Sequence, residues 1–184
     1  MKRLLRSRKA LSPVIATVIL VSVTIVVAVS VAYWMGSIAG TYTTFEQVEI
    51  PTAYANKIAN WTGDSSVPLA FRGGASDVGG WNITIVLKNS GSADATIDNI
   101  FIDGKPYEHF TNVALRDSAG NLYNSTTTTT LAITVNAGGS DTIEVLVKSG
   151  DDQSQGVTFS SGTALDIKLH TAAGKEYPKL LDLT

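Results

Sequence analysis

From Ala10 to Phe45 the chain carries no charged residue. Thirty-six uncharged positions in a row, dominated by Val, Ile, Ala and Leu as far as Tyr33-Trp34, leave few folds open to this part of the chain. The Val, Ile and Thr content would suit a strand by propensity alone. Length decides otherwise. An apolar run of 18 residues or more is long enough to cross a bilayer, and in lipid only a helix satisfies all of its own backbone hydrogen bonds within one segment. The expectation is therefore a helix over residues 11–44. Leu11 to Trp34 would span roughly 35 Å at ~1.5 Å per residue, against a hydrocarbon thickness of ~30 Å. Tyr33-Trp34 then fall where aromatic side chains meet the outer interface. Pro13 sits in the first turn, where no amide hydrogen is needed. Ser22, Thr24, Ser30 and Ser37 can return their hydroxyls to carbonyls a turn back.

Upstream, residues 1–10 read MKRLLRSRKA, with five basic residues and no acid. A basic leader before an apolar run directs a chain to a membrane and keeps the basic end inside. An ordinary secretory signal has its small-residue cleavage site after the apolar region. Here Lys9-Ala10 precedes it, so a cut between Ala10 and Leu11 would keep the apolar run as the new N-terminus. Downstream of Trp34, Met35 to Phe45 remain uncharged, with Gly36 and Gly40 at the G-x-x-x-G spacing that allows close helix packing. A simple anchor has no need to avoid charge beyond the interface. A helix that packs against copies of itself does, and Val14, Ile15, Val18, Ile25, Val29, Gly36 and Gly40 are expected to make that packing.

The string Arg8-Lys9-Ala10-Leu11-Ser12-Pro13-Val14-Ile15-Ala16-Thr17 closely resembles the N-terminus of archaeal type IV pilins. The resemblance covers residues 8–35 and is only architectural beyond them. It implies a class III signal sequence cut after Ala10 by a prepilin peptidase on the cytoplasmic face, and a filament cored by the retained helices with β-rich heads outside. Ile15 stands where bacterial type IV pilins typically have Glu, which fits the archaeal branch. Archaellins share the processing but typically open with a glycine-rich start, unlike Ser12-Pro13-Val14. The resemblance thus favours an adhesive pilus over a swimming filament. It implies as partners the peptidase, the pilus assembly machinery, the membrane before assembly, and other copies of the chain.

Residues 45–184 read as a head domain of ordinary size. Trp81, Ile83, Ile85 and Leu87 alternate with polar or smaller neighbours, as do Leu131, Ile133 and Val135; Ile143, Val145 and Val147; and Leu165, Ile167 and Leu169. This is the period-2 pattern of half-buried strands. The alternation of Ile97 to Ile102 slips near Asp98-Asn99, which predicts a bulge. Asp103-Gly104 is a strong hairpin signal, leading into a strand over Tyr107 to Leu115. Residues 61–80 and 150–156, rich in Gly, Ser and Asp, read as surface loops. Seven to nine short strands with turn chemistry between them predict an antiparallel, immunoglobulin-like sandwich, giving an α+β chain overall.

Chemistry-bearing residues are sparse. Excluding the leader, nine Lys and Arg face sixteen acids, a net charge of about −7 that disfavours nucleic acid as a partner. The absence of cysteine excludes disulfides and thiolate metal sites. His109 and His170 have no Asp or Glu at ligand spacing in the sequence and read as surface residues. Asp151 to Gly156 lacks the oxygen ligands and final Glu of a calcium loop. Phe71-Arg-Gly-Gly lacks the fixed spacing of a phosphate loop. No catalytic, cofactor or metal site is expected, and the chain does not read as an enzyme. Asn60, Asn82 and Asn124 begin N-x-Thr sequons, which makes each a candidate glycan acceptor on an exported protein. The leading expectation is a filament subunit, inserted in the cytoplasmic membrane in transit and extracellular at the end. Its rivals are a signal-anchored β-sandwich binding module that never polymerises, and an archaellum subunit.

Overall fold

The computed structural model describes residues 12–61, 67, 79–126, 130–152 and 157–184, with backbone alone at 151 and 152. Two compact units, Met1–Thr44 and Phe45–Thr184, divide the chain.

The first unit is one helix, α1 (Pro13–Thr43). Ser12 precedes it in an extended conformation, and its carbonyl accepts from the amides of Ile15 (2.9 Å) and Ala16 (3.1 Å). Pro13 takes the first helical position, where its fixed φ suits the helix and its missing donor costs nothing. The far end has no glycine cap. Instead the Thr43 and Thr44 hydroxyls both donate to the Gly40 carbonyl at 3.1 Å, partnering a group that the helix end would leave open.

The second unit is a sandwich of two antiparallel sheets. Its strands are β1 (Val48–Ile58), β2 (Gly80–Asn89), β3 (Ala95–Ile102), β4 (Lys105–Pro106), β5 (Val113–Arg116), β6 (Leu122–Asn124), β7 (Ile133–Val135), β8 (Ser140–Lys148), β9 (Gly150–Asp152), β10 (Val157–Phe159), β11 (Ala164–Thr171) and β12 (Glu176–Asp182). One sheet runs β1-β2-β8-β5-β6. The other runs β12-β11-β3-β4, with β7 pairing the first half of β3. Taken in chain order these are the A-B-E-D and G-F-C arrangements of an immunoglobulin-like sandwich. The alternating residues do what their period requires. Trp81, Ile83, Ile85 and Leu87 meet Ile143, Val145 and Val147 from one sheet and Ile97, Ile100, Leu165, Ile167 and Leu169 from the other, all buried. Trp81 fixes the end of this core by donating its indole N–H to the Thr184 carbonyl at 3.0 Å.

The predicted bulge is present. Ile97 pairs with Thr171 and Asn99 with His170, so Asp98 is the extra residue. At the Asp103-Gly104 turn both residues have positive φ (49° and 78°), the pairing a two-residue hairpin needs. Three expectations require correction. The segment after that turn is not one strand: Pro106 leads into a short 3₁₀ turn, Tyr107–His109, which buries Tyr107 and Phe110 before β5 begins. Gly150 and Val157 do not bound a plain loop: β9 and β10 pair as a hairpin, with Gly150 at φ 115°, a conformation that side chains with a Cβ rarely adopt. Of the supposed surface loop at 61–80, much lies outside the described residues, but Trp61 and Val67 are buried. They cluster with Ala114 and Leu146, which point outward from β5 and β8 and would otherwise be exposed to water.

Candidate assembly helix

Of the described elements, α1 departs furthest from what water tolerates. No residue in it is buried. Twelve aliphatic side chains from Val14 to Val31 are 49–69% exposed, distributed over every side of the helix. An amphipathic helix keeps one polar face, whereas a helix apolar all round belongs in lipid or in a protein interior. Full burial of such a side chain is worth about 1.5–3 kcal/mol. Completing the burial of twelve such half-exposed side chains gains roughly 10–20 kcal/mol, as much as the entire stability of a typical domain. The helix therefore requires an apolar surrounding.

Six of its seven serine and threonine hydroxyls are already satisfied from within. Thr17 donates to the Val14 carbonyl (2.9 Å), Ser22 to Val18 (2.7 Å), Thr24 to Val21 (2.8 Å) and Ser30 to Val26 (2.8 Å). Three of the four hydroxyls expected to do this are among them. Ser37 takes part through its carbonyl, which accepts from Thr41 at 3.4 Å. The first turn carries no acid and the last turn no base. At 31 residues the helix is about 46 Å long, half as long again as a ~30 Å hydrocarbon layer.

The residues expected to pack share a stripe. At ~100° per residue, Val14, Val18, Ile25, Val29, Gly36 and Gly40 fall within an arc of roughly 80°, with Ile15 at its margin. Val14, Ile15, Val18, Ile25 and Val29 are exposed, and a Cβ added at Gly36 or Gly40 would meet nothing within 4 Å. The two glycines form a shallow notch at the end of an aliphatic ridge, a shape that admits a second helix at short distance. Lys9, Ala10 and Leu11, the proposed cleavage residues, lie outside the described residues.

The head places the three sequons differently. Asn60 is exposed just beyond β1. Asn124 ends the edge strand β6, with its Oδ1 accepting from the Thr126 amide (2.9 Å) and hydroxyl (2.7 Å) of its own sequon. Asn82 faces outward from β2 as expected but lies mid-sheet between Asn56 and Leu146; its Nδ2 donates to Glu144 Oε1 (3.3 Å) and its Oδ1 is buried.

Other polar groups are engaged with one another. Arg116 forms an ion pair with Glu144 beside an open cleft of about 370 Å³. Asp117 in that cleft accepts from the Asn121 amide (2.7 Å), Asn121 Nδ2 (2.8 Å) and the Tyr123 hydroxyl (3.1 Å). Burial acts to raise the Asp117 pKa, but these hydrogen bonds outweigh it and hold the carboxyl below its ordinary value. The sequence reading missed a partner for His170: Asp98, the bulged residue, brings its carboxylate to 2.6 Å from His170 Nδ1 across the sheet. Only the pairing register, which joins positions 72 apart, could have revealed it. Among the described residues no three His, Asp or Glu side chains gather as a metal site would require.

No known family model matches the chain, and no curated protein does. Among solved structures it is similar to the archaellum periplasmic stator protein complex FlaF and FlaG from Sulfolobus acidocaldarius, at 16% identity and TM-score 0.36 over 74% of this chain and 90% of that one. It is also similar to the archaeal flagellum of Methanospirillum hungatei strain JF1, at 10% identity and TM-score 0.38 over 95% and 94% of the two chains. A third likeness is to the Iho670 flagellar-like filament, at 11% identity and TM-score 0.39 over 95% and 99%. Identities of 10–16% and TM-scores below 0.5 leave the function of this chain to be argued from its own residues.

Proposed function

We propose that the chain is the structural subunit of an archaeal type IV adhesive pilus. Prepilin peptidase removes residues 1–10, α1 waits in the cytoplasmic membrane, and the assembly machinery transfers it into a filament whose core is a bundle of such helices. The heads face outward, at the cell surface. One observation carries this reading: α1 is apolar around its whole circumference, has most of its serine and threonine hydroxyls back-bonded, and continues about 15 Å beyond what a bilayer needs. Lipid and a dry helix bundle are equally able to cover such a surface, so the subunit passes from one to the other without exposing an apolar stripe to water. The extra length favours the subunit over a simple anchor. The Ser12-Pro13-Val14 start favours a pilus over an archaellum. Glycan attachment fits Asn60 and Asn124 better than Asn82, whose amide is held in the sheet.

The test is to shear cells and sequence the N-terminus of the released protein. A filament that starts at Leu11 supports the proposal. Protein that keeps Met1, or that stays in the membrane fraction and never appears in sheared material, refutes it in favour of the anchored module.

A further inference from the structure

An open sheet edge presents a row of unpaired backbone donors and acceptors, and any extended segment of another chain can add to it. Among the described residues the outermost strands of the head are β1 and β6 in one sheet, and β12 and the β4/β7 flank in the other, with the Tyr177 hydroxyl of β12 bonded to the Val48 backbone of β1. Three of the chain's five prolines lie on these edges, one to each of three strands: Pro51 in β1, Pro106 in β4 and Pro178 in β12. Pro13 opens the helix, and Pro68 lies outside the described residues. Each of the three strands also carries a lysine: Lys57, Lys105 and Lys179. The remaining edge strands, β6 and β7, are three residues long.

We propose that the edges of the head are closed to strand addition by a second copy of this chain, so that heads meet only through the side chains of their faces and loops. At Pro178 the β11–β12 register runs unbroken, Tyr177 to Leu169, Pro178 to Lys168 and Lys179 to Ile167. A proline keeps such a ladder intact only where its missing N–H faces away from the neighbour, which puts the ring and the absent donor on the open side. At Pro51 the register shifts between Glu49 and Thr52, which bends the edge of the longest strand as well as removing a donor. Pro106 faces Phe101 at the end of its own short ladder. The two long edges are thus interrupted, and the others are short. Tethering many heads along one filament would raise their local concentration into the millimolar range, where an open edge would be filled at once. The edges are closed in the same way whether or not the chain forms a filament.

The experiment compares the full chain in detergent micelles, which cover α1, with two triple variants. One carries Pro51→Thr, Pro106→Thr and Pro178→Thr; the other carries Lys at the same positions. Thr restores the donor and favours a strand, while Lys restores the donor but guards the edge with charge. Light scattering is expected to give the Thr variant at least twice the protein mass of the wild type, with an intermolecular β band in the infrared. The Lys variant is expected to keep the wild-type mass, and both variants the near-ultraviolet dichroism of buried Trp81. A Thr variant of unchanged mass, or equal association of both variants, overturns the proposal. If the triple Thr variant loses the Trp81 signal, the single Pro178→Thr variant decides by the same mass measurement, because its ladder is otherwise uninterrupted.

Discussion

Replacing Val26 with Asp places a carboxylate near the middle of α1, one turn before Ser30, whose hydroxyl is committed to the Val26 carbonyl. In a bilayer, a charge at the helix centre costs about 2.5–3.5 kcal/mol on insertion scales. Eleven other exposed aliphatics between Val14 and Val31 outweigh that cost, so the variant should still insert. In a bundle of copies the outcome differs. The stretch from Ala10 to Phe45 holds no Lys, Arg or His on any copy, so the new carboxylate meets no partner in a core built from that stretch. An uncompensated penalty of about 3 kcal/mol weakens association roughly 150-fold, and each subunit bears it. Immunoblots of membrane and sheared fractions, with negative-stain microscopy, read the two effects separately. The expected result is near wild-type protein in the membrane and at least a hundredfold loss of sheared filaments, with Val26→Leu indistinguishable from wild type. Filaments from Val26→Asp within a few-fold of the wild type would refute the claim that this surface is the filament core.

Other outcomes follow from the same structure. At Gly40 an added Cβ meets nothing within 4 Å, and Gly40→Ala raises helix propensity by about 0.8–1 kcal/mol, so a fall in filament yield with unchanged membrane insertion would locate close packing at that notch. Asn89 is fully buried and donates to the Ala93 (2.7 Å) and Val135 (3.0 Å) carbonyls while accepting from the Gly91 amide (2.9 Å). Asn89→Ala orphans all three groups and should cost about 2–4 kcal/mol, read as a drop of several degrees in the head's Tm. Burial, with a smaller contribution from Glu108, pushes the Tyr107 hydroxyl up to about 12. The folded head therefore holds this proton more tightly than the unfolded chain, and that stabilisation is complete below pH 10 and lost as pH rises towards 12. Denaturant titrations at pH 9 and pH 11.5 should show a loss that is smaller in Tyr107→Phe. Mass spectrometry of native protein should find glycan at Asn60 or Asn124 and none at Asn82.

The parts of the fold most legible in the sequence are those with a period long enough to count. The charge-free run specified α1 because nothing else can accommodate so many apolar residues in lipid, and β2 and β11 alternate because each turns one face to the core, as β8 does up to Leu146, which is covered on the outer face. The Asp98 bulge was legible as a break in alternation. Short elements were not. Three residues of β9 or β10 carry no measurable period, and Gly150 looks like any loop glycine until its positive φ is seen. Trp61 and Val67 lay in a stretch whose composition resembles solvent-exposed chain, yet Ala114 and Leu146 needed covering, a demand visible only once β5 and β8 are placed side by side. The His170–Asp98 pair was hidden for the same reason. For the assembly helix, the residue types alone announced the back-bonding of Ser22, Thr24 and Ser30, whereas the shared stripe of Val14 to Gly40 emerges only once the helix is built.

The central claim is that α1 ends buried against other copies of itself. The chain contains no cysteine, so Val29→Cys introduces a single reporter on the packing stripe, and Ser118→Cys provides an exposed control in the head. In filaments sheared from cells, the account predicts that a membrane-impermeant maleimide labels residue 118 within minutes and leaves residue 29 unlabelled until the filaments are dissolved in denaturant. Labelling of residue 29 at the rate of residue 118 in intact filaments would contradict it.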